Sequence, residues 1–163
     1  MTLSRSYTRS TLLIDADQRA PALHEIFNVQ NSGGLSDYLR GRDGTQAETV
    51  QLFPGLTLLP AGLATSDPMS GLTSRRMTQL MVDAAGSFDF VIVDTPPVTL
   101  VPDASVLAPL VDATVLVIAA GSTQHNAIER AIAAVGRERI IGTVLNRADA
   151  ASVGAYGYGY PRT

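Results

Sequence analysis

Five short apolar runs punctuate the chain: Leu12 to Ile14, Leu56 to Leu59, Phe90 to Val93, Thr114 to Ile118 and Ile140 to Leu145. They are continuously apolar and do not alternate with polar residues. Strands buried on both faces have this pattern, so the runs predict a parallel sheet with helices on both sides. The intervening segments supply the helices. Met77, Leu80, Met81 and Ala84 fall at i, i+3, i+4 and i+7, as do Ile128, Ala131, Ile132 and Val135, and each set makes one apolar helix face. Leu35 to Arg40, after Gly33 and Gly34, and Asp103 to Leu110, after Pro102, are shorter helical candidates. The alternation predicts a single α/β domain over residues 11–147. The polar residues 1–10 and the aperiodic stretch 148–163 are expected to be poorly ordered, the latter a flexible tail closing in Tyr156-Gly157-Tyr158-Gly159-Tyr160.

Composition narrows the chemistry. A chain of 163 residues with 45% hydrophobic residues can bury a full core without cross-links, and the absence of cysteine excludes a disulfide scaffold and a thiolate metal site. The net charge of -3 supplies no global field for nucleic acid. No apolar run approaches the roughly 18 residues of a membrane span, and Met1 to Ser10 lack the apolar stretch of a signal peptide, so a cytoplasmic protein is expected. All 12 basic residues are arginine. Without lysine the chain alone cannot form a Schiff base, neutralise phosphates through a phosphate-loop lysine or use a lysine base.

In open α/β sheets ligands bind beyond the carboxyl ends of the strands. Two of the runs end there in carboxylates: Leu13-Ile14-Asp15-Ala16-Asp17-Gln18-Arg19 and Val91-Ile92-Val93-Asp94-Thr95-Pro96-Pro97. Hard oxygen ligands at strand ends suit Mg²⁺, which bridges one or two carboxylates to substrate phosphates while keeping several waters. Taken alone, Asp94 reads as a turn or cap residue. The pair Asp15 and Asp17 is harder to dismiss, because like charges this close repel unless a cation or an arginine compensates them. Asp103 and Asp112 read as a helix cap and a turn residue, and His24 and His125 have no ligand partners at metal spacing.

Together these residues carry a resemblance. The segment TLLIDADQRAPALHEIF resembles the Walker A′ motif and following helix of the bacterial tyrosine kinases, the exopolysaccharide autokinases of the MinD/ParA-like deviant Walker superfamily. NSGGLSDYLRG and LTLLPAG are similar to the segments that come next, FDFVIVDTPPV to the Walker B motif, Leu145 to Arg147 to the nucleotide-base segment, and the Tyr-Gly ending to the tyrosine cluster. The match runs in order from Thr11 to Tyr160. It implies a P-loop NTPase-like fold and an ATP- and Mg²⁺-dependent protein-tyrosine kinase of capsule or exopolysaccharide synthesis, which phosphorylates tail tyrosines of a neighbouring copy. Residue by residue, Asp15 would assist deprotonation of the acceptor hydroxyl, and Asp17 and Asp94 would hold Mg²⁺ through water. Asn146 would face the adenine edge, and Tyr156, Tyr158 and Tyr160 would accept phosphate. Arg19 belongs to the matched motif as a phosphate contact or as the partner of an acidic neighbour. Implied partners are further copies or a complete kinase, and a membrane chain-length determinant acting as adaptor, which would place the protein at the inner face of the membrane; no nucleic acid is implied.

The pattern also departs from the family. Members begin with a strand and a Gly-rich loop ending Gly-Lys-Ser/Thr, which this sequence lacks, and Gly33-Gly34 is not followed by a lysine. Three expectations follow: weak or absent Mg-ATP binding, impaired activity of the chain as it stands, and exposed strand edges where the family's first strand would lie. The alternatives are a non-enzymatic subunit that donates tyrosines to a complete kinase, and a partition ATPase of the ParA/MinD kind. Arg19 and the tyrosine tail speak against the latter, and the missing lysine against a receiver domain.

Overall fold

The computed structural model describes residues 9–41 and 46–148, which form two compact units divided between Val111 and Asp112. In the first unit, β1 (Thr11–Asp15) lies between β3 (Leu56–Leu59) and β4 (Phe90–Asp94), parallel to both, and β2 (Val50–Phe53) pairs antiparallel with β3 to give the order β2-β3-β1-β4. The second unit holds a separate parallel pair, β5 (Thr114–Ala119) and β6 (Ile140–Asn146). The parallel strands flanked by helices that the sequence predicts are present, and β2 adds one antiparallel neighbour. Among the described residues no strand pairs with the outer edge of β4.

The continuous apolar runs do report burial at the centre of the first sheet. Ile14, Leu58 and Leu59 are fully enclosed, together with Leu35, Leu72 and Met77 from the covering helices. Those helices are α1 (Leu23–Phe27), α2 (Leu35–Arg40), α3 (Pro68–Leu72), α4 (Arg75–Ser87) and α5 (Asp103–Leu107), the last continued by a 3₁₀ turn over Ala108–Leu110. The spacing read for α4 buries Met77, Met81 and Ala84. Its start is fixed by Ser74, whose hydroxyl oxygen accepts the Met77 N–H at 3.3 Å. Asp67 caps α3 in the same way by accepting from Ser70 N–H at 3.1 Å, with Pro68 preset for the first turn. The hairpin β2–β3 turns on Pro54-Gly55, where Gly55 has φ 78°, the conformation a type II turn requires at that place.

Burial fails at the edges. On β4, Phe90 and Ile92 are 42% and 44% exposed, and in the second unit Val115, Val117, Val144 and Leu145 are exposed as well. Here α6 (His125–Val135) crosses between β5 and β6 and buries Ala131 and Val135. Of the polar start, residues 1–8 lie outside the described residues; Arg9 and Ser10 are both tied to Asp89, by Nη1 at 2.9 Å and by the Ser10 amide and hydroxyl at 2.8 Å each. The tail tyrosines Tyr156, Tyr158 and Tyr160 also lie outside the described residues.

Candidate functional site

The two carboxylate motifs meet because β1 and β4 are hydrogen-bonded neighbours in register, with Asp15 opposite Asp94 at their carboxyl ends. The Ala16 N–H donates to the Asp94 carbonyl at 2.9 Å and carries the ladder one residue past the strand. Asp15 is fully buried. Its two oxygens accept the Asp17 N–H at 3.2 Å and the Leu23 N–H at 3.1 Å, so the loop back to α1 is wrapped around the carboxyl group. Burial raises the Asp15 pKa above the usual carboxylate range, the Leu23 amide opposes the rise, and the negative charges of Asp94 and Asp17 add to it.

Asp94 is raised as well, first by the protein mass behind its carboxyl, then by Asp17, with the Thr95 amide opposing. It is exposed at the strand end, so water screens its charge in a way that is denied to Asp15. Among the described residues no cation lowers either group. Asp17, half-buried, turns the loop by accepting the N–H groups of Arg19 at 3.1 Å and Ala20 at 2.9 Å. Carboxylates gathered at the strand ends, two of them with raised pKa values, could hold a divalent cation partly through water, and Asp17 and Asp94 are the more open of the three. Among the described residues no group of three acidic, histidine or cysteine side chains converges as a complete metal cage.

Arg19 does not reach across to this cluster. Its Nε donates to Asp103 Oδ2 at 3.0 Å and its Nη2 to Asp103 Oδ1 at 3.1 Å, a bidentate pair in which the Asp103 carboxylate is fully buried. This pairing, above all the hydrogen bonds, raises the Arg19 pKa further. The expected cap role of Asp103 is therefore corrected: Pro102 occupies the cap position of α5, no side chain caps that helix, and Asp103 anchors the Asp15–Arg19 loop. Sequence could not reveal a partner 84 residues away. Asp112 lies in the bend before β5, as a turn residue should. His24 lies 4.0 Å from Glu25 and His125 3.4 Å from Glu129.

Gly33-Gly34 serves packing. The first amides of α2, those of Leu35 and Ser36, donate to the carbonyls of Pro60 and Ala61 at 2.8 Å each, just beyond β3. These donors are used inside the fold and are not free to cradle phosphate. In the second unit Asn146 ends β6 opposite Ala119, its carbonyl accepts the Ala120 N–H at 2.8 Å, and its side-chain oxygen accepts the Arg147 N–H at 2.9 Å. That bond orders a turn in which Arg147 adopts φ 57°.

No family profile matches the chain. Individual relatives do. The chain is 33% identical over 153 residues to the tyrosine-protein kinase YwqD of Bacillus subtilis, covering 92% of this chain and 65% of that protein. The kinase domain of VpsO superposes with a TM-score of 0.80 at 32% identity, over 91% of this chain and 75% of that one. The cell division ATPase MinD of Pyrococcus furiosus, with a TM-score of 0.69 at 19% identity over 88% of this chain and 63% of its own, shares the P-loop NTPase-like fold alone. The kinase likeness runs through both carboxylate motifs and over most of a solved kinase domain, so the chain belongs to the bacterial tyrosine kinase family.

Proposed function

We propose that the chain acts in protein-tyrosine phosphorylation within capsule or exopolysaccharide synthesis, with Asp15 as the base that prepares the acceptor hydroxyl. The observation that carries this reading is the register pair Asp15–Asp94, which puts one fully buried and one open carboxylate side by side at the strand ends. A phenol with a pKa near 10 needs a proton acceptor in the transition state, and a carboxylate whose pKa is raised is a better base than an ordinary aspartate. Asp15 meets that need by burial, and its two amide donors hold it in one orientation. Asp17 and Asp94 are the ligands for Mg²⁺, which when bound together with ATP would neutralise charge on the transferring phosphoryl group. Asn146 contacts the base, and Tyr156, Tyr158 and Tyr160 receive phosphate. The protein works at the inner face of the membrane through an adaptor; among the described residues no helix is long and apolar enough to cross a membrane.

A second reading is favoured by two specific features. The chain has no lysine, and the amides beside Gly33-Gly34 are consumed within the fold, so neither is available to hold phosphate. On this reading the chain donates tyrosines to a complete kinase and does not bind ATP itself. One experiment separates the two. The purified chain is incubated with Mg-ATP, alone and with a complete kinase of the same family, and tail phosphate is mapped by mass spectrometry in wild type, Asp15→Asn and a triple Tyr→Phe tail variant. Phosphate gained without the complete kinase and lost in Asp15→Asn establishes the first reading. Phosphate gained only with the complete kinase, and equally in Asp15→Asn, establishes the second. An unmodified tail beside an actively autophosphorylating kinase removes the acceptor role.

A further inference from the structure

Two loops make the carboxylate site, and an ion pair joins them away from the strands. One loop leaves β1 at Asp15 and runs through Asp17 to Arg19; the other leaves β4 at Asp94 and enters α5 at Asp103. At the strand ends they are held by the Asp15–Asp94 register and by the Ala16 N–H on the Asp94 carbonyl. Farther out they are joined by Arg19 and Asp103. The second loop carries Pro96, Pro97 and Pro102, of which Pro96 is buried, and the Pro97 carbonyl accepts the Leu100 N–H at 2.9 Å, so Asp103 is delivered by a stiff segment.

The placement of the guanidinium is the unusual feature. Asp17 folds back on the residue that carries it: Asp17 Oδ1 accepts the Arg19 N–H at 3.1 Å, and the Asp17 charge acts on Arg19 as well as on Asp94. A guanidinium beside a carboxylate gains from pairing with it. Arg19 instead gives Nε and Nη2 to Asp103, although its side chain is 40% exposed and has room to turn. Burial decides the choice. Asp103 is fully buried, and a bare charge there is far less favourable than one on half-buried Asp17, which water also reaches. Asp17 does not need the guanidinium for its own placement, because its turn is made by the backbone N–H groups of Arg19 and Ala20. We propose that Asp103 is a positioning residue for the carboxylate site: it holds the Arg19 guanidinium off Asp17 and so leaves Asp17 open to a divalent cation. With the Asp103 charge removed, Arg19 turns to Asp17 and competes with the cation for its oxygens. The inference rests on the reading in which Asp17 and Asp94 are the metal ligands, and its test separates the two.

The test follows the full ¹⁵N-labelled chain by NMR, first without metal and then with Mn²⁺ as the probe ion. Without metal, the Arg19 Nε–H signal of the wild type should be indifferent to Asp17→Asn. In Asp103→Leu the same signal should shift, and it should shift again when Asp17→Asn is added. With Mn²⁺, paramagnetic broadening of the Asp17 and Thr95 amides should saturate in the wild type and need roughly tenfold more Mn²⁺ in Asp103→Leu, the effect of one competing charge-assisted hydrogen bond. Asp103→Leu/Arg19→Met, which replaces the pair by apolar residues, should recover most of the lost affinity. A purely structural role predicts the reverse, since a second change in the same pair would then repair nothing. Should Asp103→Leu not fold, Asp103→Asn takes its place, with the same order of affinities and the same recovery by Arg19→Met. Undiminished Mn²⁺ affinity without Asp103, a loss that Arg19→Met does not repair, or an Arg19 signal indifferent to Asp17 once Asp103 is gone would each overturn the proposal. Absence of Mn²⁺ broadening in the wild type would instead overturn the metal-ligand reading, and the Arg19 signal would still decide where the guanidinium is held.

Discussion

Two glycine-to-alanine changes should move stability in opposite directions, and the contrast tests how the loop before α2 is packed. At Gly34 an added Cβ would lie 2.2 Å from the Pro60 carbonyl oxygen, 2.5 Å from the Gly62 nitrogen and 2.8 Å from the Gly62 Cα. All three are backbone atoms at the end of a buried strand and cannot swing aside. Relief requires α2 to back away, which breaks the Leu35 and Ser36 hydrogen bonds to Pro60 and Ala61. Those two bonds contribute roughly 1 kcal/mol each. Displacing Leu35 and Leu39 from the core adds a packing loss of about 1–3 kcal/mol. Gly34→Ala should therefore lose about 3–5 kcal/mol, a large share of the roughly 5–15 kcal/mol that holds a domain together. At Gly86, in the last turn of α4, an added Cβ meets nothing within 4 Å, so Gly86→Ala should gain about 0.4–1 kcal/mol by restricting the unfolded chain. Urea unfolding followed by far-UV circular dichroism gives both differences. Native-state hydrogen exchange localises the first, since the Leu35 and Ser36 amides should lose protection before the β1 amides do. If Gly34→Ala costs less than about 1 kcal/mol and both amides stay protected, the close approach of α2 to β3 is wrongly drawn.

Three further outcomes are expected. On the acceptor reading the chain alone should show no Mg²⁺-dependent ATP binding in the micromolar range by titration calorimetry; such binding, lost in Asp94→Ala, would overturn that reading and favour the kinase one. Asp15 and Asp94 have folded pKa values above their unfolded ones, so their contribution is fully present below about pH 4 and is lost as pH rises through the folded values. Asp94→Asn should consequently be more stable than wild type at pH 7, by less than about 1 kcal/mol after solvent screening, with the difference vanishing near pH 4 and shrinking in Mg²⁺; a variant less stable at pH 7 than at pH 4, relative to wild type, would contradict the mutual repulsion. The open edge of β4 with exposed Phe90 and Ile92 should drive self-association that rises with concentration and is reduced by Ile92→Glu; a monodisperse monomer by light scattering would show that this edge is covered.

The sequence was informative where periodicity and chemistry are local. Continuous apolar runs located β1, β3, β4, β5 and β6, and the i, i+3, i+4, i+7 sets located α4 and α6. β2 escaped because Val50–Phe53 is four residues long and interrupted by Gln51, and its identity as a strand comes from the hairpin partner it finds across Pro54-Gly55. α3 escaped for a related reason, and α1 was reached through the family resemblance of its segment and not through periodicity. At five residues each, with no buried residue in α1 and a glycine within α3, they have too few turns to show a period. The runs also overstate burial: Phe90–Val93 reads as a strand enclosed on both faces, but its apolar content records a need for neighbours and cannot say which neighbours are present.

Arg19 shows most directly what tertiary structure adds to the site. In sequence it stands two residues from Asp17 and four from Asp15, close enough to be the counter-charge that lets two carboxylates share a strand end. In the fold its guanidinium is spent bidentately on Asp103, a carboxylate that is fully buried and would be costly to leave alone. The arginine feels Asp17 at longer range, yet no cation offsets Asp15 or Asp94, and each has a raised pKa in part because of its acidic neighbours. The pair with Asp103 thus does two things. It fixes the far end of the Asp15–Arg19 loop against α5, and it withholds that guanidinium from the cluster. The cluster keeps its excess negative charge, and a divalent cation is what can relieve it. On the reading proposed above, in which Asp17 and Asp94 hold Mg²⁺, that imbalance is what the metal would relieve.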